Sequence, residues 1–209
     1  MLEKEAQQRG VRGFIVSRCR RIIDGASAQT IVRIFDVLVQ LEEPTAPFAV
    51  PFARHADENV RAAVASVLEG SRDPRAIDAL VSLSRDHDER VRLNAVRAIA
   101  LELGKPSEHD FVDTPAIRDA LATRVDDECH IARNSALLGL AMRRDRRATT
   151  PLAALLGSDQ LIGTLVDAAY YLAAPSLRDV LQWQLDAGSD VCGDFSLEDA
   201  IAACTVDLV

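Results

Sequence analysis

Asp57-Glu58-Asn59-Val60-Arg61 returns as Asp88-Glu89-Arg90-Val91-Arg92, and after both an Ala/Val/Leu-rich stretch leads to a glycine, a polar turn and a proline-led second stretch. Self-similarity at a period of roughly 30 to 45 residues marks a solenoid, whose units cannot bury a core alone and must stack on their neighbours. Aligning the first stretches on Val60, Val91 and Ile131 gives steps of 31 and 40 residues, with Asn94 and Asn134 as a second matching pair.

The second stretches carry their own marker, a proline followed by an apolar pair. Pro74 precedes Ala79-Leu80, Pro115 precedes Ala120-Leu121, Pro151 precedes Ala154-Leu155 and Pro175 precedes Val180-Leu181. Proline suits the first helical turn, where its missing N–H has no partner to lose. Within each stretch a stripe of positions, apolar but for Ser84, recurs at three and four: Val60, Val64, Val67 and Leu68; Ile77, Leu80, Val81 and Ser84; Val91, Ala95, Ala98 and Ile99. That period is helical. Ala95 and Ala98 are among them, and such small residues let packed helices approach closely. Gly70, Gly104 and Gly157 fall where helices should end.

The unit Asp-Glu-x-Val-Arg, then an Ala-rich helix, Gly, Asp73-Pro74-Arg75-Ala76-Ile77 and x-Ala-Leu resembles the HEAT repeat, in particular the short form of bacterial phycobilin-lyase-like proteins. The match is best over 57–103, fair over 114–157, and reduced to a bare helix pair at 158–186 and 27–56, where Phe48 and Phe52 replace aliphatics. The resemblance implies an all-α fold, a right-handed superhelix of the HEAT/ARM type with the second helices on its concave side. It implies no single activity. The 209 residues accommodate about five hairpins plus caps in one domain. Within 1–209 the expected parts are a basic N-terminal helix (1–26), the hairpins (27–186) and an acidic cap (187–209), the last opened by a capping box at Ser196 and Asp199.

No apolar run reaches the ~20 residues of a membrane span, and the start Met1-Leu2-Glu3-Lys4-Glu5 lacks a signal peptide's basic and apolar regions. Cys19, Cys129, Cys192 and Cys204 lie far apart, with no paired spacing for zinc or a disulfide framework. A cytoplasmic protein is expected. Lys4, Arg9, Arg12, Arg18, Arg20 and Arg21 crowd one end, whereas Asp186, Asp190, Asp194, Glu198, Asp199 and Asp207 end the chain with no base among them. This asymmetry reads first as solvated caps around a monomer, second as a basic docking patch at the N-terminal end, and third as a route to weak head-to-tail association.

The leading function is a non-catalytic scaffold that binds another protein or a peptide. On the phase of Ile77, Leu80 and Val81, the outward groove residues are Arg75, Asp78, Ser82 and Arg85; Arg118 and Asp119 follow in the next hairpin, and Arg178, Gln182 and Trp183 in the last. Trp183 is read either as an interface anchor or as packing beneath the C-terminal cap. About nine inserted residues, Lys105 to Asp113, bring Phe111 as a plug or a contact. Asp57 with Arg61, and Asp88 with Arg92, are spaced to pair one turn apart, and such arginines can also bridge neighbouring repeats.

Three other classes of function each have one feature behind them. A HEAT-like fold serves one family of DNA glycosylases, and Arg143-Arg144-Asp145-Arg146-Arg147 is a dense basic cluster, but a pI near 5 and the absence of a repeating Lys/Arg stripe make nucleic acid an unlikely partner. The cluster reads as a solvated turn. A related iron-dependent hydroxylase family uses His-Glu pairs; His55, His87, His109 and His130 lack a following Glu and sit in turns. A bilin-related activity has only the repeat behind it. No cofactor is expected, and no nucleophile or phosphate-loop motif occurs.

Overall fold

A computed structural model describes residues 2–101, 112–159 and 161–205, with side chains from residue 11 onward. Gly104, His109, Phe111 and most of the inserted segment lie outside the described residues. Those described form twelve α-helices and no strand: α1 (Leu2–Ile22), α2 (Ala28–Gln40), α3 (Ala46–Ala49), α4 (Glu58–Val67), α5 (Pro74–Leu83), α6 (Glu89–Ala100), α7 (Pro115–Ala122), α8 (His130–Met142), α9 (Thr149–Leu156), α10 (Gly163–Leu172), α11 (Arg178–Asp186) and α12 (Leu197–Ala203). Helices α2 to α11 pair into five successive hairpins. Their first helices stack in order, α2 on α4, α4 on α6, α6 on α8 and α8 on α10, so the fold is an α-solenoid.

Local chemistry starts these helices. Ser27, Asp57, Asp73, Asp88 and Thr114 each accept a backbone N–H from the first turn, which satisfies an otherwise orphaned donor. Pro74 and Pro115 occupy first-turn positions as expected. Gly70, at φ +72°, carries the chain out of α4 through the left-handed region. Ser196 and Asp199 form the expected capping box at α12.

The repeat register differs from the expected one by a residue in the fourth hairpin. Val60 and Val91 are fully buried, but Ile131 is 47% exposed and Ala132 takes the buried position. The step from Val91 is therefore 41, and the buried sets then superimpose: Ala95 on Ala136, Val96 on Leu137 and Ile99 on Leu140. Asn134 is consequently not the counterpart of Asn94. In the second helices the same slip appears, because Leu152 and Leu156 are buried where Ala154 is exposed. For α8 the physical reason is the insertion between α6 and α7, one residue longer than expected; α7 keeps its expected buried pair Ala120-Leu121. Gly139 marks how closely α6 and α8 then approach: a Cβ there would stand 2.7 Å from Ala100 Cβ and 2.9 Å from Ala100 Cα.

An arginine–aspartate ladder fixes the stacking. Arg61 does not turn to Asp57; it reaches 25 residues forward, donating from Nε to Asp86 Oδ2 (2.7 Å) and from Nη2 to Asp86 Oδ1 (2.9 Å). Its Nη1 donates to the carbonyls of His55 and Ala56, both at 2.9 Å. Arg92 repeats the pattern on Asp127 (3.1 and 3.4 Å) and on the carbonyls of Asp86 and His87. Asp57 and Asp88 serve as caps instead. Burial pushes the Asp86 and Asp127 carboxyls up, but their arginines and the backbone N–H groups of Asp88 and Cys129 outweigh it and hold both below the usual carboxylate range.

Arg143 corrects the solvated-turn reading. Its side chain is wholly buried, and its two terminal nitrogens donate to the carbonyls of Gly139 (2.8 Å), Ile99 (3.0 Å), Val112 (3.0 Å) and Ala100 (3.4 Å). It thereby caps α6 and ties both flanks of the insertion to α8. Burial pulls its pKa down to about 10, against the attraction of Asp113, so it is charged at neutral pH.

The ends close differently. Cys19 and Ile23 of the N-terminal segment are buried, Arg12 pairs with Glu43 at 2.6 Å, and the Arg20 guanidinium lies 5.1 Å over the Phe48 ring. At the other end Phe195 stacks on Tyr170 with centroids 3.6 Å apart, and its N–H donates to Asp167. The carbonyl of Cys192 comes so near Gly163 that a Cβ there would lie 1.9 Å from it. The aromatic beneath the cap is thus Phe195 rather than Trp183.

Removing one partner from a buried ion pair strands the other, at a cost of about 3–5 kcal/mol. Arg61→Ala and Arg92→Ala should each lower the unfolding free energy by about that amount in urea titrations, with helicity retained before the transition. Because the folded-state pKa values of Asp86 and Asp127 are depressed, their contribution is complete above the unfolded carboxylate value of about 4 and fades as pH falls through the folded values. The urea midpoint should drop steeply below about pH 4, and Asp86→Asn/Asp127→Asn should flatten that drop while starting lower at neutral pH.

Candidate functional site

The second helices α5, α7 and α11 carry every residue expected to form the groove except Arg85, which falls in the turn just after α5. Arg75, Asp78, Ser82 and Arg85 are all exposed. The first three line a depression of about 290 Å³ together with Pro51, Arg54 and Ala79, between α5 and the turn Val50–Phe52. Arg75 is held by its own cap: its Nη2 donates to Asp73 Oδ2 at 2.8 Å.

Arg118 and Asp119 occupy a different environment. Arg118 is half-buried and grips Asp113 through Nε (2.9 Å) and Nη2 (2.5 Å), with Asp145 3.7 Å away. Asp119 accepts from Arg147 at 2.7 Å, and Arg147 also clasps Asp145 at 2.6 and 3.0 Å. This network braces α7 against the turn before α9. Hydrogen bonds from Arg147 hold the Asp145 carboxyl low despite its burial, and Asp145 and Asp119 in turn raise the Arg147 pKa. Two members of the basic cluster, Arg143 and Arg147, are therefore committed to the stack, leaving Arg144 and Arg146 at the surface.

On α11, Arg178, Gln182 and Trp183 are exposed, and Gln182 donates to Asp186 at 2.9 Å. The indole of Trp183 is 54% exposed. Nearby Gln184 faces inward instead, donating to the Leu156 carbonyl at 2.6 Å and accepting from Ser189. The groove residues thus fall into a free-standing part near α5, a structural brace at α7 and an aromatic ledge on α11.

Among the described residues no group of three or more His, Cys, Asp or Glu side chains is placed to hold a metal ion. His55 and His87 lie in turns and His130 opens α8. His87 Nδ1 stands 3.4 Å from Asp86, which Arg61 already occupies. Among the described residues no helix is long and apolar enough to cross a membrane.

A second concavity escaped the sequence reading. A cleft of about 610 Å³ opens between the first turns of α8 and α10 and the end of α9, with Arg133 and Asn134 in its wall. The signal was present in the spacing: Pro74 to Pro115 and Asp86 to Asp127 are each 41 residues. Anchoring on Ile131 concealed that Arg133 follows Arg61 and Arg92.

Residues 46–112 match the family model of the HEAT repeats. Protein YibA of Escherichia coli, from strain K12 and from O157:H7, is 29% identical over 127 residues, which is 61% of this chain and 42% of YibA. The chain spans less than half the length of these curated relatives. The crystal structure of YibA from E. coli superimposes with a TM-score of 0.70 at 22% identity, covering 94% of this chain and 67% of that one. Taken with the stacked hairpins, these likenesses make the chain an α-solenoid with HEAT repeats over residues 46–112.

Proposed function

We propose that this protein is a non-catalytic scaffold of the cytoplasm that binds another protein or a peptide along its second helices. The observation that carries this reading is Trp183, a large aromatic left 54% exposed on a rigid helix while Phe195 fills the place beneath the cap. Exposed indoles on rigid supports are favoured anchors in interfaces, where they bury much area at small entropic cost. Arg178 and Gln182 beside it, and Arg75, Asp78, Ser82 and Arg85 further along, supply mixed charge suited to a partner with charged groups of both signs. Arg118 and Asp119 contribute less, because their charges are already satisfied within the stack. Four free thiols agree with a reducing compartment.

Trp183 is the sole tryptophan, so its fluorescence reports on this surface alone. Tagged wild type and Trp183→Ala should be compared in capture from the native host, washed at low and high salt. The wild type should retain a stoichiometric protein, and complex formation should shift the indole emission to the blue and shield it from acrylamide. Trp183→Ala should lose the partner while its unfolding free energy stays within about 0.5 kcal/mol of wild type. A complex that forms with unchanged emission removes Trp183 from the interface. An eluate carrying a chromophore or a metal instead of a protein overturns the scaffold reading.

A further inference from the structure

Counting from the helix starts places the ladder in a single frame. The residues that immediately precede α4, α6, α8 and α10 are Asp57, Asp88, Cys129 and Ile162, of which only the two aspartates cap their helices through the side chain. Four positions on stand Arg61, Arg92, Arg133 and Val166; two positions before stand His55, Asp86, Asp127 and Gln160. Each rung joins the arginine of one repeat to the carboxylate of the next. Arg61 finds Asp86 and Arg92 finds Asp127. For Arg133 the sequence offers the amide Gln160, a residue outside those described.

Arg133 keeps half of the pattern. Its Nη1 donates to the carbonyl of Asp127 at 3.4 Å, six residues back, as Arg61 does to His55 and Arg92 to Asp86. The other half is absent: its Nε, the atom that donates to Asp86 and Asp127 in the first two rungs, is buried with no hydrogen-bond partner. A buried guanidinium N–H without an acceptor is costly, more so than a neutral donor. The same cleft wall holds a second orphan. Asn134 is 9% exposed, and its Oδ1 has no partner. Both residues line the 610 Å³ cleft, whose apolar wall is Leu155, Leu161, Ile162 and Leu165.

We propose that this cleft binds a peptide carboxylate with an adjoining aliphatic side chain. The carboxylate accepts from the partly exposed Arg133 guanidinium in place of the missing rung, the Asn134 side-chain amide lies beside it, and the four aliphatic residues take the side chain. The exposed carboxylates of Glu128 and Asp159 also line the cleft. They disfavour a phosphate or a polyanion and select a ligand with a single negative charge. The site lies where successive hairpins join, apart from the Trp183 ledge, and does not depend on it.

The test is a chemical-shift titration of isotopically labelled full-length protein with three probes. N-acetyl-aspartyl-leucinamide offers a side-chain carboxylate, N-acetyl-leucine a terminal one, and N-acetyl-asparaginyl-leucinamide none. At least one carboxylate should move the amides of 130–135 and 162–165, and whichever binds tighter identifies the source. Arg133→Gln should weaken that binding about ten-fold or more, as expected for losing a charge-assisted hydrogen bond. Arg133→Lys keeps the charge without the fork and should fall between, and Asn134→Ala should weaken binding while the ladder below it is intact. Equal shifts with the neutral probe, undiminished binding by the Arg133 and Asn134 variants, or tighter binding of inorganic phosphate would each overturn the proposal.

Discussion

The stack depends on a fork of hydrogen bonds thrown from one repeat to the next. Arg61 and Arg92 each bind two carbonyls of the turn before their own helix and a carboxylate of the following turn. A planar guanidinium can do both at once; an ammonium could not, since it lacks the fixed fork. The geometry sets the spacing and the rotation between neighbouring hairpins together. Each ion pair is nearly dry, so its net contribution is modest while its disruption is expensive. That combination specifies register more strongly than it adds stability.

Small side chains make the ladder possible. Alanines at 95, 98, 132 and 136, with Gly139 where a Cβ would press on Ala100, let the first helices come close enough for an arginine to span the gap. Arg143 solves a related problem by a different route. Its donations to four carbonyls tie the end of α6 and Val112, on either side of the insertion, to α8. A buried charge is tolerated because nearly every direction around it holds an acceptor.

The surfaces divide by what the stack needs from them. Arg118, Asp119, Asp145 and Arg147 satisfy one another between α7 and the turn before α9, and so have little left for a partner. The α11 face is different, because Phe195 and Gln184 already secure the C-terminal end and Trp183 is spared from the core. The orphaned donors and acceptors of Arg133 and Asn134 belong to a third category, polar groups that the fold buries but does not satisfy.

The sequence by itself determined the helical period, the capping box at Ser196 and Asp199, the proline-led second helices and hence the solenoid, because these signals act within a single turn of chain. Even the forward reach of Arg61 and Arg92 was legible as one of two options. Which option prevailed was decided by tertiary structure: a capping carboxylate is already engaged by backbone N–H groups, whereas Asp86 and Asp127 meet the arginines only after the hairpins stack. The same holds for Arg143, whose neighbours in sequence spell a solvated basic turn but whose acceptors lie 31, 43 and 44 residues away as well as one turn back. The fate of Trp183 turned on Phe195, and the exposure of Ile131 on one extra residue in the insertion. Hydrogen bonds and burial between distant residues leave no period in the chain, and only the packed stack brings their partners within reach.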